Sequence, residues 1–132
     1  MLVSPEGLPF ISLGQANFVG LSLILLNFIS ILSNLMNKIK DNVSYQNVLR
    51  IRSSLYPRRS IQKPDPMHLD YDFPHKVCIY YVNTNNGYTM FENGEKVSSL
   101  ENRLLIFDGL EKHCSVVQTD TAARFIININ IL

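Results

Sequence analysis

The chain has 132 residues, 46% of them hydrophobic, with 12 Lys and Arg against 11 Asp and Glu. That length holds one compact domain and that apolar content argues against whole-chain disorder. A net charge of +1 argues against a polyanion binder, whose affinity comes from many phosphate-neutralising cations, so no nucleic-acid partner is expected.

Residues 1–16 read as an irregular arm broken by Pro5, Gly7, Pro9 and Gly14. A helix is expected from Asn17 to Lys40, with Lys38 and Lys40 in its last turn, where cations suit the helix dipole. Its uncharged stretch Phe18–Asn37 approaches the ~20 residues of a membrane span. Asn27, Ser30, Asn34 and Lys38 nevertheless fall at helical spacing as a polar stripe, so a packing helix is expected rather than a membrane anchor. No basic residue precedes Lys38, as a signal peptide would require. Asp41–Gln46 is a polar connector, so residues 1–46 form an arm and helix and residues 47–132 the core.

The core reads as β. Strands are expected over Asn47–Tyr56 up to Pro57, over Lys76–Asn83, Tyr88–Glu92, Lys96–Ser98, Arg103–Phe107, His113–Val117 and Arg124–Leu132. Pro57–Pro66 is a loop, Asn83–Gly87 a turn, and Asn93-Gly94 a hairpin signal. Short strands at this spacing suggest an all-β sandwich or barrel. Cys78 and Cys114 cannot form a disulfide scaffold and read as free thiols in a reducing, cytoplasmic compartment.

The three histidines are His68, His75 and His113. His68 and Asp70 are one residue apart; on an extended chain they point to the same face. With His113 from a later strand they make two imidazoles and a carboxylate, the facial triad of non-haem Fe(II) oxygenases, which leaves coordination positions open. A surface His and Asp at a strand end is the plainer reading of that tripeptide. Arg124 is the only charge in a strand that is otherwise uncharged and mainly apolar from Ala122 to Leu132. A buried guanidinium needs a partner, and its planar fork suits a carboxylate. A bound acid, a distant Asp or Glu, and a register that exposes Arg124 all remain open on the sequence.

In order, these residues spell HxD…H…R, and here the chain resembles the Fe(II)/2-oxoglutarate dioxygenases, specifically the prolyl 4-hydroxylase-like group and its small, phage-type members. The resemblance covers residues 47–132 and includes MHLDYD, VCIYYVNTNNGYTMF, NRLLIFDGLEKH and ARFIININ. It implies a double-stranded β-helix (a jelly-roll, cupin-like fold, mainly β) with an N-terminal packing helix. His68, Asp70 and His113 match the metal ligands, Arg124 the residue that grips the far carboxylate of 2-oxoglutarate, and Tyr81 and Tyr56 cosubstrate-contacting tyrosines. Alternation puts Tyr80 on the opposite face from Tyr81, so one tyrosine of the pair can serve. The implied activity is hydroxylation coupled to 2-oxoglutarate decarboxylation, with Fe(II), 2-oxoglutarate and O2 required. The implied substrate is a small molecule or peptide, and the location the cytoplasm (the host's, for a viral protein).

The chain departs from that pattern in three places. Tyr88 stands where relatives carry a glycine and is expected to narrow the substrate mouth. His75 matches no ligand and is expected on a surface loop; Cys114 is expected in the core. The part before Asn47 is short for the family. Two other readings stay open: a cupin-like barrel that binds metal or a small acid without turnover, and a membrane-anchored accessory protein using residues 18–36.

Overall fold

In a computed structural model of the chain, residues 2–3 and 18–132 are described, with side chains from residue 26 onward. The chain divides into two compact units, Pro5–Ser44 and the remainder. In the first, helix α1 spans Phe18–Asn42 with Lys40 in its last turn. The Asn42 side-chain amide donates back to the Lys38 carbonyl at 2.7 Å, within the last turn of the helix. Among the described residues, no helix is long and apolar enough to cross a membrane.

The second unit is antiparallel β. Its strands are β1 (Leu2–Val3), β2 (Val48–Pro57), β3 (Lys76–Tyr81), β4 (Tyr88–Phe91), β5 (Lys96–Ser98), β6 (Arg103–Asp108), β7 (His113–Val116) and β8 (Ala123–Ile131). Seven lie within a residue or two of the sequence expectation at each end. Strand β1 corrects the irregular arm expected over residues 1–16. Leu2 and Val3 pair with Leu105 and Leu104, because apolar residues ahead of the first proline can complete the open edge of β6. The rest of the arm lies outside the described residues.

The strands form two sheets, β1-β6-β3-β8-β2 and β5-β4-β7. Between β2 and β3 the chain runs along β7 without becoming a regular strand, touching it at two bridges, Pro64 to Val116 and His68 to His113. Leaving β1 aside and counting that segment, each sheet holds four chain segments, and the chain crosses from sheet to sheet at every step except the β4–β5 hairpin, the winding of a double-stranded β-helix, or jelly roll. Pro64 and Pro66 explain the irregularity, because neither has an N–H to give a ladder.

Period-2 alternation fills the space between the sheets with Val77, Ile79, Tyr81, Phe91, Val97, Leu105, Phe107 and Ile126, with Tyr56 packed at the margin. The hairpin from β4 to β5 turns at Asn93-Gly94, with Gly94 at φ 88°. The Asn93 side chain accepts from the Glu95 amide at 2.9 Å, an Asx turn. Cys78 and Cys114 are buried free thiols.

Candidate metal centre

The site is built from backbone outward. His68 and His113 exchange two main-chain hydrogen bonds, 3.0 and 3.1 Å, so the bridge that fastens the irregular segment to β7 is formed by the two imidazole residues themselves. Their ring centroids lie 4.7 Å apart. Phe107 packs edge-on against the His113 ring at 4.9 Å and fixes it from the core side. His68, Asp70 and His113 each bring one potential ligand atom, and these atoms lie within 4.8 Å of one another.

Both imidazoles are oriented the same way. Nδ1 of His68 bonds the Pro66 carbonyl and Nδ1 of His113 the Glu111 carbonyl, each at 3.2 Å. A carbonyl only accepts, so each bond requires the proton on Nδ1, and in the neutral ring the lone pair then lies on Nε2. Burial pushes the His113 pKa below its ordinary value; the nearby His68 and His75 rings add to this, against the Glu111 carbonyl and Asp70. The ring is thereby kept neutral, as metal ligation needs.

Asp70 is held at both oxygens. Oδ1 lies 3.0 Å from Nη2 of Arg50 and 3.8 Å from Nε2 of His68. Oδ2 accepts from the Asn128 amide at 3.0 Å, and Asn130 donates in turn to Asn128 at 2.8 Å. Burial alone would raise the carboxyl pKa, but the two asparagine amides and the Arg50 guanidinium outweigh it and hold it below 3.8. The guanidinium itself lies over the Tyr71 ring, 5.4 Å from its centroid. Arg50, Asn128 and Asn130 were not singled out on the sequence. The signal was present in β8: Arg124, Ile126, Asn128 and Asn130 share one face by alternation, and that face is the one turned inward.

Arg124 is fully buried. Its Nε donates to the Ser99 hydroxyl at 2.7 Å and its Nη1 to the Ser115 hydroxyl. Its Nη2 is buried with no hydrogen-bond partner, and no carboxylate among the described residues pairs with it. The guanidinium stands 5.6 Å from the Tyr56 ring centroid and 5.8 Å from that of Tyr81. Tyr56 faces Arg124 across the β2–β8 ladder. The Tyr81 hydroxyl donates to Thr89 at 2.7 Å, whereas Tyr80, on the other face, donates to Asn102 at 2.6 Å. His68, His113, Tyr56, Thr89 and Arg124 line one cleft. Gly87 keeps the floor of the site open: a Cβ there would stand 2.9 Å from Cδ of Arg124 and 3.0 Å from the Val116 carbonyl.

Two expectations are corrected. His75 is buried, not a surface loop residue: its Nδ1 bonds the Phe73 carbonyl at 2.8 Å, Tyr71 packs edge-on against it, and a Cβ on Gly109 would come within 2.2 Å of its ring. The glycine at the end of β6 makes that close approach possible. Tyr88 does not narrow the cleft. Its neighbour Thr89 points inward, so alternation sends Tyr88 out, under the Lys96 ammonium at 5.1 Å.

No family model matches the chain, and neither does any curated protein sequence. Among solved structures it is similar to a prolyl-4-hydroxylase from Pseudomonas putida, with TM-score 0.51 and 16% identity over 92% of this chain and 70% of that one. It is also similar to an RmlC-like cupin protein from Desulfovibrio desulfuricans, with TM-score 0.42 and 11% identity over 67% of this chain and 96% of that one. At such identity the first likeness speaks to the fold, which agrees with the strand order.

Proposed function

We propose that the protein is an Fe(II)- and 2-oxoglutarate-dependent dioxygenase of the hydroxylase type. The observation that carries this reading is that two things open into one cleft: a convergent pair of imidazoles, with the Asp70 carboxylate behind its wall beside them, and a buried guanidinium with a donor to spare. Two imidazoles and one carboxylate on one side suit a divalent iron with open positions, and the donor set present fits it: both Nε2 atoms are free and Asp70 is kept ionised. His68, Asp70 and His113 would hold the metal. Bound iron, with 2-oxoglutarate and O2, would supply the oxidising chemistry that no side chain provides.

The remaining work falls to the chain. Arg124 Nη2 would take the far carboxylate of the cosubstrate, a group the cleft otherwise lacks. Tyr81 would join it by turning its hydroxyl proton from Thr89 to that carboxylate, and Tyr56 would close the side of the guanidinium against water. The Asp70 carboxylate, retained as a ligand, favours hydroxylation over halide transfer.

The test is succinate formation that requires both iron and 2-oxoglutarate, paired with an anaerobic 2-oxoglutarate titration of the Fe(II) protein followed by its metal-to-ligand charge-transfer band. Arg124→Leu should leave iron binding nearly unchanged. It should weaken 2-oxoglutarate by the cost of stranding a buried carboxylate, about 2–5 kcal/mol, or roughly 30- to 5,000-fold. His113→Ala should remove most iron binding. An unchanged 2-oxoglutarate midpoint in Arg124→Leu would take the cosubstrate role from that residue, and metal binding without turnover would favour a binding barrel.

A further inference from the structure

Strand β2 lays four side chains along the cleft face of the β2–β8 ladder. In register they stand opposite β8 as Arg50 with Asn130, Arg52 with Asn128, Ser54 with Ile126 and Tyr56 with Arg124. The two ends of that row are engaged: Arg50 pairs with Asp70 at 3.0 Å, and Tyr56 covers Arg124. Arg52, between them, is exposed and lines the same cleft as His68, His113 and Asn128. Among the described residues its side chain has no hydrogen bond and no ion pair.

The charge balance of the cleft makes that position informative. Its lining contains two arginines and no carboxylate. The acids nearby are already taken, Asp70 by Arg50 at 3.0 Å and Asp65 by Arg59 at 2.9 Å. A guanidinium is most strongly satisfied by a planar two-oxygen anion, and this one faces a cleft where the protein provides none. The far carboxylate of the cosubstrate is accounted for by Arg124, deeper in the cleft.

We propose that Arg52 is the specificity-determining residue of the site and that the substrate carries an anionic group, carboxylate or phosphate, which pairs with Arg52 and brings the rest of the molecule over the His68–Asp70–His113 centre. This rests on the functional reading above and adds the substrate class to it. Arg52 touches the substrate rather than the metal or the cosubstrate, so its removal should change acid recognition and nothing else.

The experiment compares two acids with uncharged isosteres, benzoate with benzamide and phenyl phosphate with phenol. They are titrated into Zn(II)-loaded protein with saturating 2-oxoglutarate and into metal-free protein, and read by amide chemical shifts. At least one acid should bind roughly tenfold tighter than its neutral partner, the worth of one charge-assisted hydrogen bond, with shifts centred on Arg52 and Asn128. The acid that does so identifies the source as carboxylate or phosphate. Arg52→Gln should abolish the difference, Arg52→Lys should restore part of it, and 2-oxoglutarate affinity should stay within twofold of wild type in both variants. Equal binding of acids and isosteres, or a preference that survives Arg52→Gln, overturns the proposal. So does a loss of 2-oxoglutarate affinity in Arg52→Gln, which would assign the residue to the cosubstrate. If wild-type protein binds neither Zn(II) nor 2-oxoglutarate, the functional reading fails, while the titrations of metal-free protein still decide whether Arg52 selects an acid.

Discussion

Asn128 does for Asp70 what two main-chain carbonyls do for the imidazoles. Its amide at 3.0 Å occupies Oδ2, while Oδ1, paired with Arg50 at 3.0 Å, also faces Nε2 of His68 and would present its other lone pair to a metal. Groups of this kind typically set metal affinity by 10- to 100-fold when removed. Asn128→Ala should therefore weaken metal binding by roughly that factor, measured by competition with a coloured chelator, with little change in far-ultraviolet circular dichroism. The same substitution should alter the acid limb of stability. A carboxyl whose folded pKa lies below 3.8 stabilises the fold above that pH, and the contribution is lost as pH falls through the folded value. Removing Asn128 raises that value, so the metal-free variant should lose less stability than wild type on acidification below pH 3.8. A metal affinity equal to wild type would make Asn128 a bystander.

At the scale of elements, the segment between β2 and β3 is the unusual part. It occupies the place of a strand but is tied to β7 by two isolated bridges, and one of these is the His68–His113 pair. The irregular backbone lets His68 and Asp70 sit at the cleft mouth, where a continuous ladder would have aligned them along a sheet. The β4–β5 hairpin is governed by local conformation instead. Gly94 has φ 88° and a Cβ there would meet nothing within 4 Å, so Gly94→Ala tests backbone preference free of packing. It should cost about 1–2 kcal/mol in urea unfolding, with metal affinity unchanged. A neutral Gly94→Ala would mean that the turn adopts another conformation in solution.

Over the whole molecule, a metal at His68, Asp70 and His113 would clamp the irregular segment to β7 in the folded state alone. At a free metal concentration 100-fold above Kd, mass action adds about 2.7 kcal/mol, which for a domain of this size raises Tm by roughly 10 °C. His113→Ala should lose nearly all of that rise. Hydrogen exchange should slow most at the His68 and His113 amides, which already donate to each other's carbonyls. An equal rise in wild type and His113→Ala would place the metal elsewhere.

Strand positions, the hairpin at Asn93-Gly94 and the inward face of Tyr81 were legible in the sequence, because alternation and positive-φ turn residues are properties of a few neighbouring residues. Arg124 announced itself as a charge in an apolar strand. Asn128 and Asn130 did not, because asparagines in so Asn-rich a chain carry no local signal until the irregular segment before β3 supplies a carboxylate. Arg50 and Arg52 differ by two positions and share a face, yet one meets Asp70 and the other an open cleft. His75 likewise reads as a loop residue until Gly109, 34 positions away, provides the gap that buries it. Local pattern therefore determined the strands and the inward-facing set. The pairing of β2 with β8, and the docking of the irregular segment on β7, decided which of those side chains share a site, because such contacts depend on residues far apart in the chain.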